Sequence, residues 1–399
     1  MNRFVAEFFE NNRKKLSKEL PNSLILISAN SILQKSADTP FPFRQDSNFW
    51  YLTGISEPDL ILVIDTSLNR TIILMPTLND YQKEWDGDFD IENLSKLSGI
   101  KDFESQVSLT SLLKKTVVNK QNIAYLKPLD EYVQPYGFYS NPARRKLSEK
   151  ILRVTKQPID IRLEIARLRQ VKQPVELEAI RQAIDVTGKS IEEVKLKLSS
   201  FHNESDINNQ LTAGFYSRGA EGHGYEPIIA SGANAAIIHY KKNNNIIVKN
   251  SFLLLDVGAQ VDGYSADISR TWAVGKVSAR EKQVHDAVMT LQNDAFLMLK
   301  PGVMLRDFQE QMEKKAKQSL KKLRSKYSNE KYPHGFSHFL GLDVHDAGDY
   351  ESPLIENSVI TIEPGIYLRD EGIGVRIEDN LLITKTGIEI LSKNIPRSL

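Results

Sequence analysis

Apolar residues fall into two textures along this chain. Over the first part they form short runs bounded by polar turns. SLILIS occupies 23–28, and LILVIDTSLNRTIILMP at 60–76 places two apolar halves around a polar turn centred on Asn69. NIAYLKP at 122–128 is a further run of the same kind. Runs of this length and composition between turn residues predict strands. The opening MNRFVAEFFENNRKKLSKEL is apolar at helical spacing and predicts a helix ahead of them. YGFYSNPARRKLSEK at 136–150 is polar and turn-rich before another helix. The expectation is a mixed α/β domain over 1–158.

From about residue 160 the pattern changes. The stretch 160–198 carries apolar residues at i, i+3 and i+4 and predicts helix, with Pro174 in the first turn of its second part. Helices then alternate with strand pairs to the end. That predicts an α+β layout over 159–399, an antiparallel or mixed sheet backed by helices. The lysine-rich KKAKQSLKKLRSKYSNEKYP at 314–333 lies in no nucleic-acid-binding module, and its spacing fits the solvated face of an amphipathic helix.

Length and composition narrow the class. A chain of 399 residues exceeds what one hydrophobic core usually fills, which supports two domains. The formal net charge of +1 gives no pull toward nucleic acid or an anionic membrane. With no cysteine, disulfides, thiolate ligands and a cysteine nucleophile are excluded. The N-terminus shows no apolar core of a signal peptide, and runs such as LILVI (60–64) and FLLL (252–255) are too short to span a bilayer. A soluble, cytoplasmic enzyme is the expectation.

The candidate chemistry lies near the C-terminus, at Asp256, Asp267, His338, Glu363 and Glu378. FLLLDVGAQVDGYSADISRTWAV (252–274) predicts a β-hairpin turning at Asp262-Gly263, with Asp256 and Asp267 on either side. Cross-strand neighbours stand ~5 Å apart when opposite and ~7–8 Å when diagonal. Either spacing lets both carboxylates reach a common site. HGFSHFLGLDVHDAGD (334–349) holds three of the seven histidines. His334 and His338 stand at i and i+4, but Pro333, Gly335 and the missing glutamate after His334 argue against a helical zinc motif. VITIEPGIY (359–367) puts Glu363 at a strand end stopped by Pro364-Gly365, and GVRIEDNLLIT (374–384) predicts one strand with Arg376 and Glu378 on a shared face. Each residue alone has a plainer reading: turn aspartates, a structural histidine, an exposed ion pair. Together the motifs point to one site, and four carboxylates converging there would repel one another unless cations were bound. Two divalent ions balance them, and an oxygen-rich set with one imidazole suits Mn²⁺, Co²⁺ or Zn²⁺.

At these residues the sequence resembles the pita-bread metallopeptidases, and among them the Xaa-Pro aminopeptidases (aminopeptidase P). The resemblance runs from RLRQVKQPVELEAIR (167–181) to LLITKTG (381–387), and FPFRQDSNFWYLTGISEPD (41–59) looks like the N-terminal domain that accompanies this catalytic domain. It implies an α/β N-terminal domain plus an α+β pita-bread catalytic domain. It further implies that Asp267 and Glu378 bridge two ions, usually Mn²⁺, one ion adding His338 and Glu363 and the other Asp256. His239, in ASGANAAIIHY, and His345 fall on the substrate side with Arg376 nearby, and His334 also matches a family position. Trp85 resembles a tryptophan that in relatives reaches a neighbouring subunit's active site, which implies a homodimer or homotetramer.

The activity so implied is removal of the first residue from peptides with proline in second position. A hydroxide bridging the metals would attack, Glu363 would handle its proton, and His239 or His345 with the metals would stabilise the oxyanion. Neither nucleic acid nor membrane is an expected partner. A prolidase restricted to Xaa-Pro dipeptides would use the same metal set. A creatinase-like hydrolase would not use it, methionine aminopeptidase lacks such an N-terminal domain, and a non-catalytic pita-bread binding protein would be expected to have lost ligands.

Overall fold

The computed structural model describes residues 3–128 and 140–399. The start of the turn-rich stretch 136–150 lies outside the described residues, and its remainder leads into the helix Pro142–Leu152. Two compact units, Met1–Leu168 and Arg169–Leu399, make up the chain.

In the first unit the helix Ala6–Glu19 precedes a sheet of six strands: β1 Ser23–Ser28, β2 Ile61–Asp65, β3 Arg70–Met75, β4 Asp102–Ser105, β5 Asn122–Tyr125 and β6 Ile159–Asp160. Their order is β4-β3-β2-β1-β5-β6. β1 pairs antiparallel with β2 and parallel with β5, so the sheet is mixed. Every residue of β1 and β2 is buried, as unbroken apolar runs require of central strands. Asn69 takes φ +50° in the turn between β2 and β3, where an asparagine tolerates the left-handed region.

The second unit begins with the helices Pro174–Leu196 and Glu204–Ser217, Pro174 standing at the helix start where its missing N–H costs nothing. Its strands are β7 Gly222–His223, β8 Ile228–Ser231, β9 Ser251–Val257, β10 Ala259–Val261, β11 Tyr264–Ser265, β12 Ile268–Val274, β13 Val359–Ile362, β14 Gly365–Leu368, β15 Ile373–Arg376, β16 Asp379–Ile383 and β17 Ile388–Ile390. They form antiparallel groups ordered β8-β9-β12, β11-β10-β7, β13-β16-β17 and β14-β15. The helices Ala279–Met298 and Leu305–Lys322 bury Val288, Leu291, Phe308 and Met312 in one core with Ile360, Ile362 and Leu381. On the second of these helices Leu305, Phe308, Met312, Ala316 and Leu320 face inward, while Lys314, Lys317, Lys321 and Lys322 are exposed. That is the solvated helix face its sequence predicts.

Two predicted strands are interrupted, and both breaks have a physical cause. The hairpin over 252–274 pairs Asp256 with Ser269 and Val257 with Ile268, stops, and resumes as β10 and β11 around Asp262 (φ +49°) and Gly263 (φ +81°). The break falls at Gly258, where a Cβ would stand 1.8 Å from the Ala266 carbonyl oxygen and 3.0 Å from the Tyr225 ring. Only glycine permits that approach.

The expected single strand over 374–384 is two strands, β15 and β16, with Ile377 and Glu378 between them. Gly365 pairs with Arg376 in one sheet and Ile362 with Asp379 in the other. Glu363-Pro364 and Ile377-Glu378 therefore face each other where the chain changes sheets. There the Ile377 N–H donates to the Pro364 carbonyl at 3.3 Å and the Glu378 N–H to the Ser269 carbonyl at 3.0 Å, so no ladder continues through them.

Gly258→Ala is expected to lower stability by roughly 1–3 kcal/mol, because the added methyl meets backbone that cannot step aside. Urea unfolding of the variant would measure it, and an unchanged midpoint would show that the strands can separate there at no cost.

Candidate functional site

The two sheet breaks and the hairpin break deliver acidic side chains to one buried place. Asp256 is the penultimate residue of β9, Asp267 immediately precedes β12, Glu363 follows β13, and Glu378 lies in the gap between β15 and β16. Since Asp256 is opposite Ser269, Asp267 lies diagonally from it. His338 comes from a loop, with Phe339 bridged to Ile360. Its Nδ1 donates to the Phe339 carbonyl at 2.9 Å, which leaves Nε2 as the acceptor turned toward the carboxylates.

Asp267, His338 and Glu378 offer ligand atoms that all lie within 4.8 Å of one another. The His338 Nε2 is 3.3 Å from Asp267 and 3.5 Å from Glu363. Asp256 is joined to Asp267 through Tyr225, whose hydroxyl stands 2.6 Å from one carboxylate and 2.7 Å from the other. A phenol has one proton and can donate to only one of them. Without a cation the second short contact needs a shared proton on a carboxyl group.

The charges give the same result. Burial, then the charge of Asp256, pushes the Asp267 carboxyl well above its ordinary range. Glu378 is raised by burial and by Asp267, and Glu363 by burial and by Glu378. Among the described residues, the side-chain cation that hydrogen-bonds these carboxylates is Arg376, 3% exposed. It donates to Asp256 Oδ2 at 2.6 Å, the Tyr367 hydroxyl at 2.8 Å and the Ser269 hydroxyl at 2.9 Å, and the Ser269 hydroxyl also donates to Glu378 at 2.7 Å. One guanidinium cannot balance four carboxylates. The donor set of buried oxygens with one oriented imidazole fits divalent cations. Asp256 keeps lone pairs for such an ion while holding Arg376 and Tyr225.

Three further histidines rim this cluster. The His345 ring meets that of His338 edge-on at 4.4 Å, and its pKa is lowered to about 4, mainly by burial. His334 bonds the Tyr367 hydroxyl at 3.0 Å and is also lowered to about 4, mainly by burial. His239 is lowered by burial and by Arg376. These three imidazoles are neutral near pH 7 and serve as hydrogen-bonding groups rather than cations. No helix runs through 331–348, so His334 and His338 are brought close by loop geometry and not by a helical i, i+4 spacing.

Sequence reasoning missed Tyr225, Ser269 and Tyr367. Each touches a carboxylate or Arg376, yet none belongs to a motif with a spacing rule; the only hint at Tyr225 is its place in the glycine-rich GHGYEP. A buried ion cluster behind His345 was missed as well. Asp346 accepts from Lys172 at 2.8 Å and from Arg169, and its own N–H donates to the Phe339 carbonyl at 2.8 Å. That carbonyl is the one that orients His338.

Residues 178–385 match the model of metallopeptidase family M24, and residues 9–125 match the aminopeptidase P N-terminal domain. The chain belongs to family M24. Intermediate cleaving peptidase 55 of Saccharomyces cerevisiae is 31% identical over 95% of this chain and 80% of its own length. Xaa-Pro aminopeptidase of Escherichia coli is 28% identical over 99% of this chain and 96% of its own. A solved structure of a putative aminopeptidase P from Bacillus anthracis superposes with a TM-score of 0.86 at 32% identity, covering 99% of this chain and 96% of that one. The chain is accordingly a metallo-aminopeptidase that binds divalent metal, an α/β N-terminal domain followed by a pita-bread catalytic domain. Among the described residues no helix is long and apolar enough to cross a membrane.

The raised carboxyls make a prediction about metal and pH. A folded pKa above the unfolded value of 3.8 or 4.5 stabilises the metal-free protein at low pH, and that contribution is lost as pH rises through the raised values. Divalent ions bound to these carboxylates would hold the deprotonated forms and reverse the dependence. The rise in Tm on adding Mn²⁺ to stripped protein is expected to grow from about pH 5 to about pH 8. Scanning calorimetry checks it; an increment independent of pH would mean that these carboxylates do not bind the ion.

Proposed function

We propose that this aminopeptidase is a dinuclear enzyme that removes the first residue from peptides with proline in second position. The observation that carries the reading is the convergence of Asp267, His338 and Glu378 in a buried site whose carboxylates lack cationic balance. Asp267 and Glu378 are assigned as the residues shared by two ions. His338 and Glu363 would complete one ion's set and Asp256 the other's. When bound, such ions, Mn²⁺ by preference, supply Lewis acidity and a nucleophile derived from water near neutral pH.

The chain's own residues have separate tasks. Glu363, raised by burial and by Glu378, is suited to take a proton at its carboxylate and return it. The Xaa-Pro nitrogen carries no hydrogen and must gain one before it leaves. His345 and His239, neutral at working pH, can donate an N–H to the carbonyl oxygen of the scissile bond, and the proton that Glu363 takes up is the one available to the leaving nitrogen. Arg376 fixes Asp256 and the Tyr367 hydroxyl together, which keeps the substrate side of the cluster in one geometry.

The same reading includes a cytoplasmic homo-oligomer that acts on peptides and uses neither nucleic acid nor membrane. Trp85 supports the oligomer: it is 71% exposed and packs only on Tyr81 among the ring contacts of the described residues. Prolidase activity is the second reading, because the same metal set serves both reactions. It differs in confining the substrate to a dipeptide.

Stripped protein given Mn²⁺ is expected to release the first residue of an Xaa-Pro-Pro tripeptide, and Asp267→Ala or Glu378→Ala to lower kcat/KM by more than about a hundredfold. Cleavage of Xaa-Pro dipeptide alone would establish prolidase. Equal turnover of peptides without proline would remove the proline requirement, and retention of most activity in either variant would remove that residue from the metal set.

A further inference from the structure

Glu204 is wholly buried yet lies outside the metal cluster. Its carboxylate accepts four hydrogen bonds. Oε1 takes the Ser231 N–H at 2.9 Å and the Asn234 amide at 3.0 Å, while Oε2 takes the Tyr240 hydroxyl at 2.8 Å and the Asn245 N–H at 2.9 Å. The Glu204 N–H donates to the Asn245 carbonyl at 2.8 Å. This carboxylate is not needed to cap its own helix, because Asn203 and Asp206 form that capping box. All of its side-chain bonds go instead to one segment and the strand leading into it.

That segment carries His239. On one side of it the Asn234 carbonyl accepts the Ile237 N–H at 2.9 Å; on the other stands Tyr240. Glu204 therefore holds both ends of the short span in which His239 sits. Further on, Asn243 in the left-handed region (φ +46°) donates to the Pro227 carbonyl at 2.8 Å and accepts the Ile229 N–H at 2.9 Å. His239 itself stays accessible between tied neighbours.

We propose that Glu204 is a positioning residue for His239, acting through the hydroxyl of Tyr240 and the side chain of Asn234. The carboxylate touches no reacting group. It removes the freedom of a segment that has no regular secondary structure after Ala236 and so aims the imidazole at the site. This rests on the reading that His239 faces substrate.

The test uses Tyr240→Phe, which deletes one donor and keeps the ring, alongside Glu204→Gln, which turns an amide N–H toward backbone donors. Two readouts are taken on the full-length protein. The ring ¹H–¹³C correlation of His239, assigned by its loss in His239→Ala, is expected to shift or broaden in Tyr240→Phe at constant pH. With Mn²⁺ and an Xaa-Pro-Pro peptide, kcat/KM is expected to fall about threefold to tenfold in Tyr240→Phe, with no further fall when His239→Ala is already present. Mn²⁺ affinity by calorimetry should not change. Equal losses in both backgrounds, or an unchanged ring signal, would overturn the proposal. Should the peptide not be cleaved, or His239→Ala be fully active, the functional reading fails, and the ring signal still decides whether Glu204 holds His239. If Glu204→Gln does not fold, Tyr240→Phe alone gives the answer.

Discussion

Mutual repulsion among Asp256, Asp267, Glu363 and Glu378 is the constraint around which the second unit is built. Each is close to another carboxylate or to an imidazole facing one, and burial sharpens every one of those interactions. A protein can hold such a group only by protonating it, by pairing it with cations, or by spending other interactions to keep the strands in place. Arg376 meets part of the need at Asp256. The rest would fall to divalent cations and to the scaffold behind the carboxylates.

That scaffold explains why Asp267, Glu363 and Glu378 sit at strand breaks. A side chain in the middle of a strand is fixed by the pleat, and its backbone is committed to the ladder. At Glu363 and Glu378 the chain is leaving one sheet for another, so the two carboxylates come from facing gaps at the same level. Gly258 and Asp267 do the same for the hairpin. The cost is a set of backbone groups without ladder partners, which neighbouring chain segments satisfy.

Behind the breaks lies a layer of buried charge. Arg270, fully buried, donates to the carbonyls of Ser269 and Glu378 at 2.8 and 2.6 Å, to Asp379 at 2.7 Å and to the carbonyls of Ile395 and Pro396 at 2.9 and 3.1 Å. One guanidinium thus ties β12, the Glu378 gap and the C-terminal tail together. Arg169 and Lys172 do similar work on Asp346 behind the His345 loop. Buried ion pairs are weak sources of net stability, since desolvation offsets much of the attraction. Their effect here is geometric: they fix which backbone groups present the carboxylates and His338.

Much of this protein was legible in the order of its residues. Apolar runs bounded by turns marked β1, β2, β3 and β5, because a strand's burial is written locally in its own side chains. The helical period marked the Pro174 helix and the lysine-rich helix for the same reason. The acidic residues could be nominated because four carboxylates in strand-end motifs have no easy apolar explanation. Their convergence was expected from the charges and the family resemblance, but not how it is achieved, since the sheet change at 362–365 and 376–379 depends on pairing between segments distant in sequence, and the strand over 374–384 looked continuous. Tyr225, Ser269 and Glu204 were invisible for a related reason: a single hydroxyl or carboxylate acquires its role only from the partners that folding brings to it. Local pattern determined the elements and the kinds of side chain available. Tertiary structure alone decided which of them share a buried volume, and so which charges must be neutralised.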